Sequence, residues 1–177
     1  FLATCYDSYG KTTFYNGIHI KAKRGHYKIL RKQLQERGTK SSKRKIKSIG
    51  SRENRWVMDI NHSVTKALVD KYGSNTLFVL EDLTVVRNST EKVNINNRYV
   101  SVSWAFYQFR ELLEYKAKIN GSMVIAVNPK YTSQTCPKCG HTEKDNRNKK
   151  HHIFCCKNCN YQSNDDRIGA MNLYRKG

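Results

Sequence analysis

The sequence has no apolar run long enough to cross a bilayer, which excludes a membrane-spanning helix of the usual kind. Its opening residues, Phe1-Leu2-Ala3-Thr4, show no basic stretch leading into an apolar one, so no secretory signal is visible. They also lack an initiator methionine, and the chain is expected to begin inside a longer protein. Acidic residues are scarce, with 14 Asp+Glu against 33 Lys+Arg and a formal net charge of +19. So basic a chain calls for a polyanionic partner, nucleic acid above all; no membrane and no small-molecule substrate are expected as partners. Ribosome-like binding, membrane-surface binding or a merely solvated surface would fit the charge alone. The charge is concentrated, however: fourteen Lys/Arg and two Glu lie between Lys21 and Trp56. The six cysteines are not scattered as in a disulfide-stapled secreted domain, so a reducing cytoplasm is expected. Prolines number only two, Pro129 and Pro137, and no internal repeat is seen.

What is present suffices for a packed core: eleven Tyr, six Phe and two Trp among 177 residues. Residues 2–6 and 12–15 read as a hairpin around Asp7-Ser8-Tyr9-Gly10-Lys11, and the alternation of residues 18–23 predicts a third strand. A basic helix is predicted over about 27–35, broken by Gly38-Thr39-Lys40-Ser41-Ser42-Lys43-Arg44-Lys45. A second helix is predicted over about 52–72, with Trp56, Ile60, Val64 and Leu68 recurring every four residues and Val57 and Ala67 beside them as one apolar stripe. Leu77-Phe78-Val79-Leu80 and Met123-Val124-Ile125-Ala126-Val127 read as buried strands. Residues 84–100 read as a loop, residues 104–120 as an amphipathic helix closed by Gly121, and residues 165–175 as the last helix. Helices alternating with buried strands after a hairpin predict an α/β fold with a mixed sheet flanked by helices.

Cys136-Pro137-Lys138-Cys139 and Cys156-Lys157-Asn158-Cys159 stand sixteen residues apart. Each C-x-x-C turns both sulfurs towards one centre, and two of them complete a tetrahedron of thiolates, the soft cage zinc favours. With all four places filled by protein, the zinc would be structural. Gly140 and Asn160, each following a second cysteine, are placed where a positive φ is needed.

Glu81 ends a buried apolar strand, a costly position for a carboxylate unless it is paired, hydrogen-bonded or bound to metal. Asp165 and Asp166 open a helix, where N-capping is the plain alternative. Brought together in an α/β layer, a strand-end acid and a helix-borne acid make an oxygen-lined pocket suited to Mg²⁺.

The segments Phe78-Val79-Leu80-Glu81-Asp82-Leu83, Tyr131-Thr132-Ser133-Gln134-Thr135-Cys136-Pro137-Lys138-Cys139-Gly140-His141 and Asp165-Asp166-Arg167-Ile168-Gly169-Ala170-Met171-Asn172-Leu173, in this order, resemble the C-terminal part of the transposon-encoded TnpB (OrfB) family, related to compact type V CRISPR effectors. The resemblance implies an RNase H-like (RuvC-like) nuclease core over residues 1–129, a zinc-ribbon insert over 130–162 and the core's last helix over 163–177. It implies an RNA-guided DNA endonuclease of an insertion sequence, dependent on Mg²⁺ or Mn²⁺, with DNA and guide RNA as partners. Glu81 matches the family's second catalytic acid and Asp166 its third, with Asp165 a weaker match. The family's first acid lies on the first strand, of which Phe1-Leu2-Ala3-Thr4 resembles the second half. Asp7, in the turn, is a poor substitute, so this piece alone is expected to be inactive. Lys40, Lys43, Arg44, Lys45, Lys47 and Arg52 are the candidates for phosphate contact, with Arg167 as another that could equally form a surface salt bridge. The alternative is a non-catalytic zinc-ribbon module that binds nucleic acid or scaffolds a complex.

Overall fold

The computed structural model describes residues 3–83 and 106–177. The loop assigned to residues 84–100 and the start of the helix assigned from residue 104 lie outside the described residues. The chain divides into two compact units: residues 18–76 with 84–124, and residues 1–17, 77–83 and 125–177.

The first of these units is helical: α1 (Ile18–Arg37), α2 (Lys40–Tyr72) and α3 (Phe106–Ile119). The strand expected over residues 18–23 is the first turn and a half of α1. Six alternating residues fit a period of two, but the longer segment buries Arg24, Tyr27 and Leu34, a helical spacing that only the residues further along disclose. The expected break over 38–45 shrinks to two residues. Gly38 takes φ 64°, and the Thr39 hydroxyl accepts from the Ser42 amide at 3.1 Å, so α2 starts at Lys40. At 33 residues α2 is about 50 Å long.

The buried face of α2 is Ser42, Ile49, Glu53, Val57, Asn61, Thr65, Leu68 and Val69. The expected stripe is thus displaced by one residue, leaving Trp56, Ile60 and Val64 at its border. The reason is that much of the true stripe is polar and satisfied by partners. Asn61 Nδ2 donates to Gln108 Oε1 of α3 at 2.9 Å, and the Thr65 hydroxyl to the Asn61 carbonyl at 2.6 Å. Lys116 of α3 reaches across to the His62 carbonyl and the Thr65 hydroxyl, both at 2.7 Å. Between α1 and α2, buried Glu53 is held by Arg24 at 3.3 Å and by Arg31. Such a network contributes little net stability, but removing one partner would strand a buried charge.

The other unit holds the site. Strand β1 (Ala3–Tyr6) pairs antiparallel with β2 (Thr12–Tyr15). Asp7 makes the turn: its Oδ1 accepts from the amides of Tyr9 at 3.2 Å and Lys11 at 2.9 Å. Strand β3 (Leu77–Glu81) pairs with β4 (Met123–Val127). The bonds from Met123 N to Thr76 O (2.9 Å) and from Asp82 N to Val127 O (2.8 Å) set these two strands parallel. A small antiparallel sheet follows, β5 (Arg147–Asn148), β6 (Ile153–Cys155) and β7 (Gln162–Asn164), and the chain closes with α4 (Asp165–Tyr174). Helix α4 packs on β1 and β3, and Tyr174 meets Tyr6 edge to face with ring centres 5.6 Å apart.

Candidate metal centre and carboxylate site

The two cysteine knuckles have the same backbone geometry. In the first, the Cys136 amide donates to His141 O (2.8 Å) and the Gly140 amide to Cys136 O (2.9 Å), with Gly140 at φ 76°. In the second, the Cys156 amide donates to Tyr161 O (2.9 Å) and the Asn160 amide to Cys156 O (3.0 Å), with Asn160 at φ 54°. Both left-handed residues stand where the sequence requires them. The four sulfurs converge: Cys136 and Cys159 at 3.6 Å, Cys139 and Cys156 at 3.5 Å, and all four within 4.8 Å of one another. Zinc–sulfur bonds of about 2.3 Å place tetrahedral sulfurs about 3.8 Å apart, so these sulfurs fit the ion.

Cys139 and Cys159 depart from the ordinary thiol value in opposite directions. The Cys139 thiol is lowered to about 6, chiefly by a backbone hydrogen bond from His141. For Cys159 the backbone hydrogen bond of Tyr161 acts downwards, but burial and the facing sulfurs of Cys139, Cys156 and Cys136 push it up to about 12. A divalent metal would remove that conflict. Cys155 lies on β6 outside the sulfur cluster.

The knuckles do not stand apart from the last helix. Cys136, Cys156, Phe154 and Ile168 are all fully buried in one cluster, with Met171 of α4 and Tyr161 packed against it. Burying Phe154 and Ile168 contributes roughly 2–3 kcal/mol each, so the start of α4 is seated on the cysteine-bearing segment.

That seating presents the acids. The helix is capped by Asn164, whose side chain accepts from the amides of Asp166 (3.0 Å) and Arg167 (3.2 Å). Capping is thus not the work of Asp165 or Asp166. Asp165 is wholly buried, bonded through Oδ2 to Arg147 Nε at 2.7 Å and through Oδ1 to His152 Nδ1 at 3.3 Å. Asp166 remains partly exposed, 3.9 Å from both Arg147 Nη2 and His152 Nδ1. Glu81, at the end of β3, accepts from the buried Thr132 hydroxyl at 3.3 Å. Burial raises the Glu81 carboxyl above its ordinary value. The Thr132 hydrogen bond and the charges of Arg147 and Lys176 counter that rise, while the charge of Asp166 adds to it. Glu81 and Asp166, remote in sequence, lie in the same unit, and the Asp166 charge is felt at the Glu81 carboxyl. Among the described residues the close cluster of donor atoms around Asp166 is formed with Asp165 and His152 and does not include Glu81. Carboxylate oxygens are hard donors of the kind Mg²⁺ takes.

Three residues of this arrangement have no role that the sequence alone assigns. Arg147 bridges Asp165 to the Ser133 hydroxyl (3.1 Å). Thr132 bonds Glu81. Buried Asn172 donates to the carbonyls of Thr132 (2.7 Å) and Thr135 (2.8 Å), fixing the turn that follows β4. Asn172 does carry a signal: it is a polar residue on the same helical face as Asp165, on a helix whose other inward positions include Ile168 and Gly169. Asp7 is consumed by its turn. Arg167 forms no salt bridge among the described residues, and its Nε is buried without a hydrogen-bond partner.

The candidate phosphate contacts lie in the other unit. Lys40, Lys43, Arg44, Lys45, Lys47 and Arg52 are all on α2 and all outside its buried face. Spaced i, i+3, i+4 and i+7, Lys40, Lys43, Arg44 and Lys47 share one face, away from the buried Ser42, Ile49 and Glu53, while Lys45 and Arg52 form a second row.

Both the sequence and the fold have known relatives. The Cas12f1-like TNB domain family matches residues 106–173, from the start of α3 almost to the end of α4. The TnpB-like protein MJ0751 of Methanocaldococcus jannaschii is 32% identical over 172 residues, covering 94% of this chain and 60% of that protein. The CRISPR-associated endodeoxyribonuclease Cas12f1 of Syntrophomonas palmitatica is 33% identical over 143 residues, covering 79% of this chain and 27% of the relative. Among solved structures, the fold resembles a Cas12f1–sgRNA–target DNA complex with a TM-score of 0.70 at 21% identity, over 92% of this chain and 43% of the other. The chain is therefore a mixed α/β protein of the TnpB family, related to the compact type V CRISPR effectors. It spans less than two thirds of the length of these relatives.

Proposed function

We propose that the chain is the nuclease part of an RNA-guided, divalent-metal-dependent DNA endonuclease of an insertion sequence, an RNase H-like (RuvC-like) core carrying a zinc ribbon. What supports this reading is the electrostatic influence of Asp166, on the helix that follows the cysteine-bearing segment, on Glu81, the half-buried acid that ends β3. Kinship with a protein named as an endodeoxyribonuclease supports the reaction class. Partners are DNA and guide RNA, the working compartment is the cytoplasm, and the ribbon zinc is structural. Among the described residues no helix is long and apolar enough to cross a membrane.

In the proposed reaction Glu81 and Asp166 hold Mg²⁺ or Mn²⁺. When bound, such ions activate water and stabilise the departing oxygen of a phosphodiester. The chain's own residues prepare the place. Thr132 orients Glu81, and Asn172 fixes the carbonyls of Thr132 and Thr135 in the turn. Arg147 holds Asp165 and lies beside Asp166, so that the acid pair keeps its geometry before substrate arrives. Arg167, next to Asp166 on α4, is the candidate there for phosphate contact. The cations of α2 follow the nucleic-acid backbone without reading bases. Of the three acids the family resemblance implies, the described residues supply two, since Asp7 is committed to its turn.

The test is cleavage of guide-matched DNA by the protein that carries this sequence. Glu81→Ala and Asp166→Ala are each expected to abolish cleavage and to leave nucleic-acid binding intact. Normal cleavage by either variant sinks the assignment and leaves a non-catalytic zinc-ribbon module.

A further inference from the structure

We propose that His152, Asp165 and Asp166 form a divalent-cation site of mixed nitrogen and oxygen donors, one that favours a first-row transition-metal ion, with Mn²⁺ as the probe, over Mg²⁺. One donor atom from each of the three lies within 4.8 Å of the other two. The four carboxylate oxygens are divided between two sides. Arg147 lies 2.7 Å from Asp165 Oδ2 and 3.9 Å from Asp166 Oδ1. The opposite oxygens, Asp165 Oδ1 and Asp166 Oδ2, face His152 Nδ1 at 3.3 and 3.9 Å. A guanidinium cannot lose its proton in a protein and so neutralises one side permanently. The other side is left with two oxygens and an imidazole, a set that an exchangeable cation can close.

The ring's place is fixed by the backbone. His152 sits in the left-handed region at φ 54°, and its carbonyl accepts from both the Asp165 amide and Asn164 Nδ2, each at 3.2 Å. The imidazole is thereby tied to the first residues of α4, which carry its two carboxylate partners. Its side chain is 57% exposed and lines an open depression of about 400 Å³ with Ile153, Gln162, Ser163 and Asn164. A hydrated cation can therefore reach the imidazole; neither acid lines the depression, and of the two carboxylates only Asp166 is partly exposed, Asp165 being wholly buried. Imidazole nitrogen suits the later first-row metals best; Mn²⁺, the weakest binder of that series, takes mixed nitrogen and oxygen donors more readily than Mg²⁺, which demands a near-octahedral shell of oxygen. The nitrogen supplies the discrimination. This inference rests on the nuclease reading only in sharing Asp166; His152 and Asp165 are its own.

The experiment uses the zinc-loaded 177-residue chain titrated with Mn²⁺ and followed by electron paramagnetic resonance, with electron spin echo modulation to detect ¹⁴N at the metal. The expected result is a bound Mn²⁺ with a nitrogen signal that disappears in His152→Gln, together with an affinity about tenfold lower in that variant. Because Asp165→Asn disturbs a buried pair, His152→Gln, at a half-exposed side chain, is the decisive variant. Absence of bound Mn²⁺, bound Mn²⁺ without ¹⁴N modulation, or an affinity unchanged by His152→Gln each overturns the proposal. If Mn²⁺ binding then responds to Glu81→Gln instead, the nuclease site stands and only the role of His152 falls.

Discussion

Replacing Arg147 with methionine takes the guanidinium away from Asp165, a carboxylate with no exposed surface, while keeping most of the side chain's apolar bulk. Stranding one member of a buried pair costs about 3–5 kcal/mol. Here the lower end applies, about 3 kcal/mol, because Arg147 is partly exposed and His152 still faces the carboxylate. Asp165→Asn removes the other charge and leaves Arg147 with Ser133 and Asp166 for company, a smaller loss of about 1–2 kcal/mol. The double variant no longer contains a stranded charge and should recover most of the loss, giving a coupling of roughly 2–3 kcal/mol in a double-mutant cycle. Hydrogen exchange of the zinc-loaded protein reads this locally, from amides of α4 and β5. Strictly additive effects, or α4 protection unchanged in Arg147→Met, would refute the idea that this pair seats the helix bearing the acids.

Three further outcomes follow from the same structure. Because Glu81 is held above its ordinary value of 4.5, the folded state binds its proton more readily than the unfolded chain. That contribution is fully present below about pH 4.5 and is lost as pH rises through the folded value. Glu81→Gln should therefore raise the thermal midpoint at pH 7 in metal-free buffer and flatten the acid-side dependence; a midpoint lowered at pH 7 contradicts this. Chelating zinc, or Cys139→Ser, should strip exchange protection from residues 136–161 and, through Ile168 and Met171, from the start of α4. Helices α1 and α2 should keep theirs, and an undisturbed α4 would contradict the shared core. Neutralising Lys40, Lys43, Arg44 and Lys47 together should reduce the salt slope of nucleic-acid affinity by roughly 3–4, about 0.9 for each phosphate that the protein no longer neutralises. An unchanged slope would remove that face of α2 from the interface.

The parts of the molecule legible in its sequence are those with short-range codes. The two knuckles are readable because spacing, sulfur chemistry and a glycine or asparagine at the left-handed turn all point the same way. Both β3 and β4 are readable as unbroken apolar runs, and Glu81 stands out as the acid that ends one. Residues 18–23 mislead because Ile18, Ile20 and Ala22 alternate by chance within a helix, and Ile18 is in fact exposed. The stripe on α2 is displaced because Glu53, Asn61 and Thr65 are buried by polar partners on other helices, Arg24, Gln108 and Lys116, which composition alone does not reveal. At the site the acids are visible but their keepers are not. Arg147 sits in a run of Lys, Asn and His that reads as solvated surface, and only folding sets it against Asp165. Asn164 takes the capping role from its neighbours because an Asx side chain one residue earlier satisfies the same amides.

The nuclease reading turns on whether one cation joins Glu81 to Asp166. Crystals of the zinc-loaded protein soaked in Mn²⁺ and measured at the manganese absorption edge test this most directly. The expected map has an anomalous peak within coordination distance of a carboxylate oxygen from each residue. A fully occupied peak elsewhere, with the space between those two side chains vacant, would contradict it.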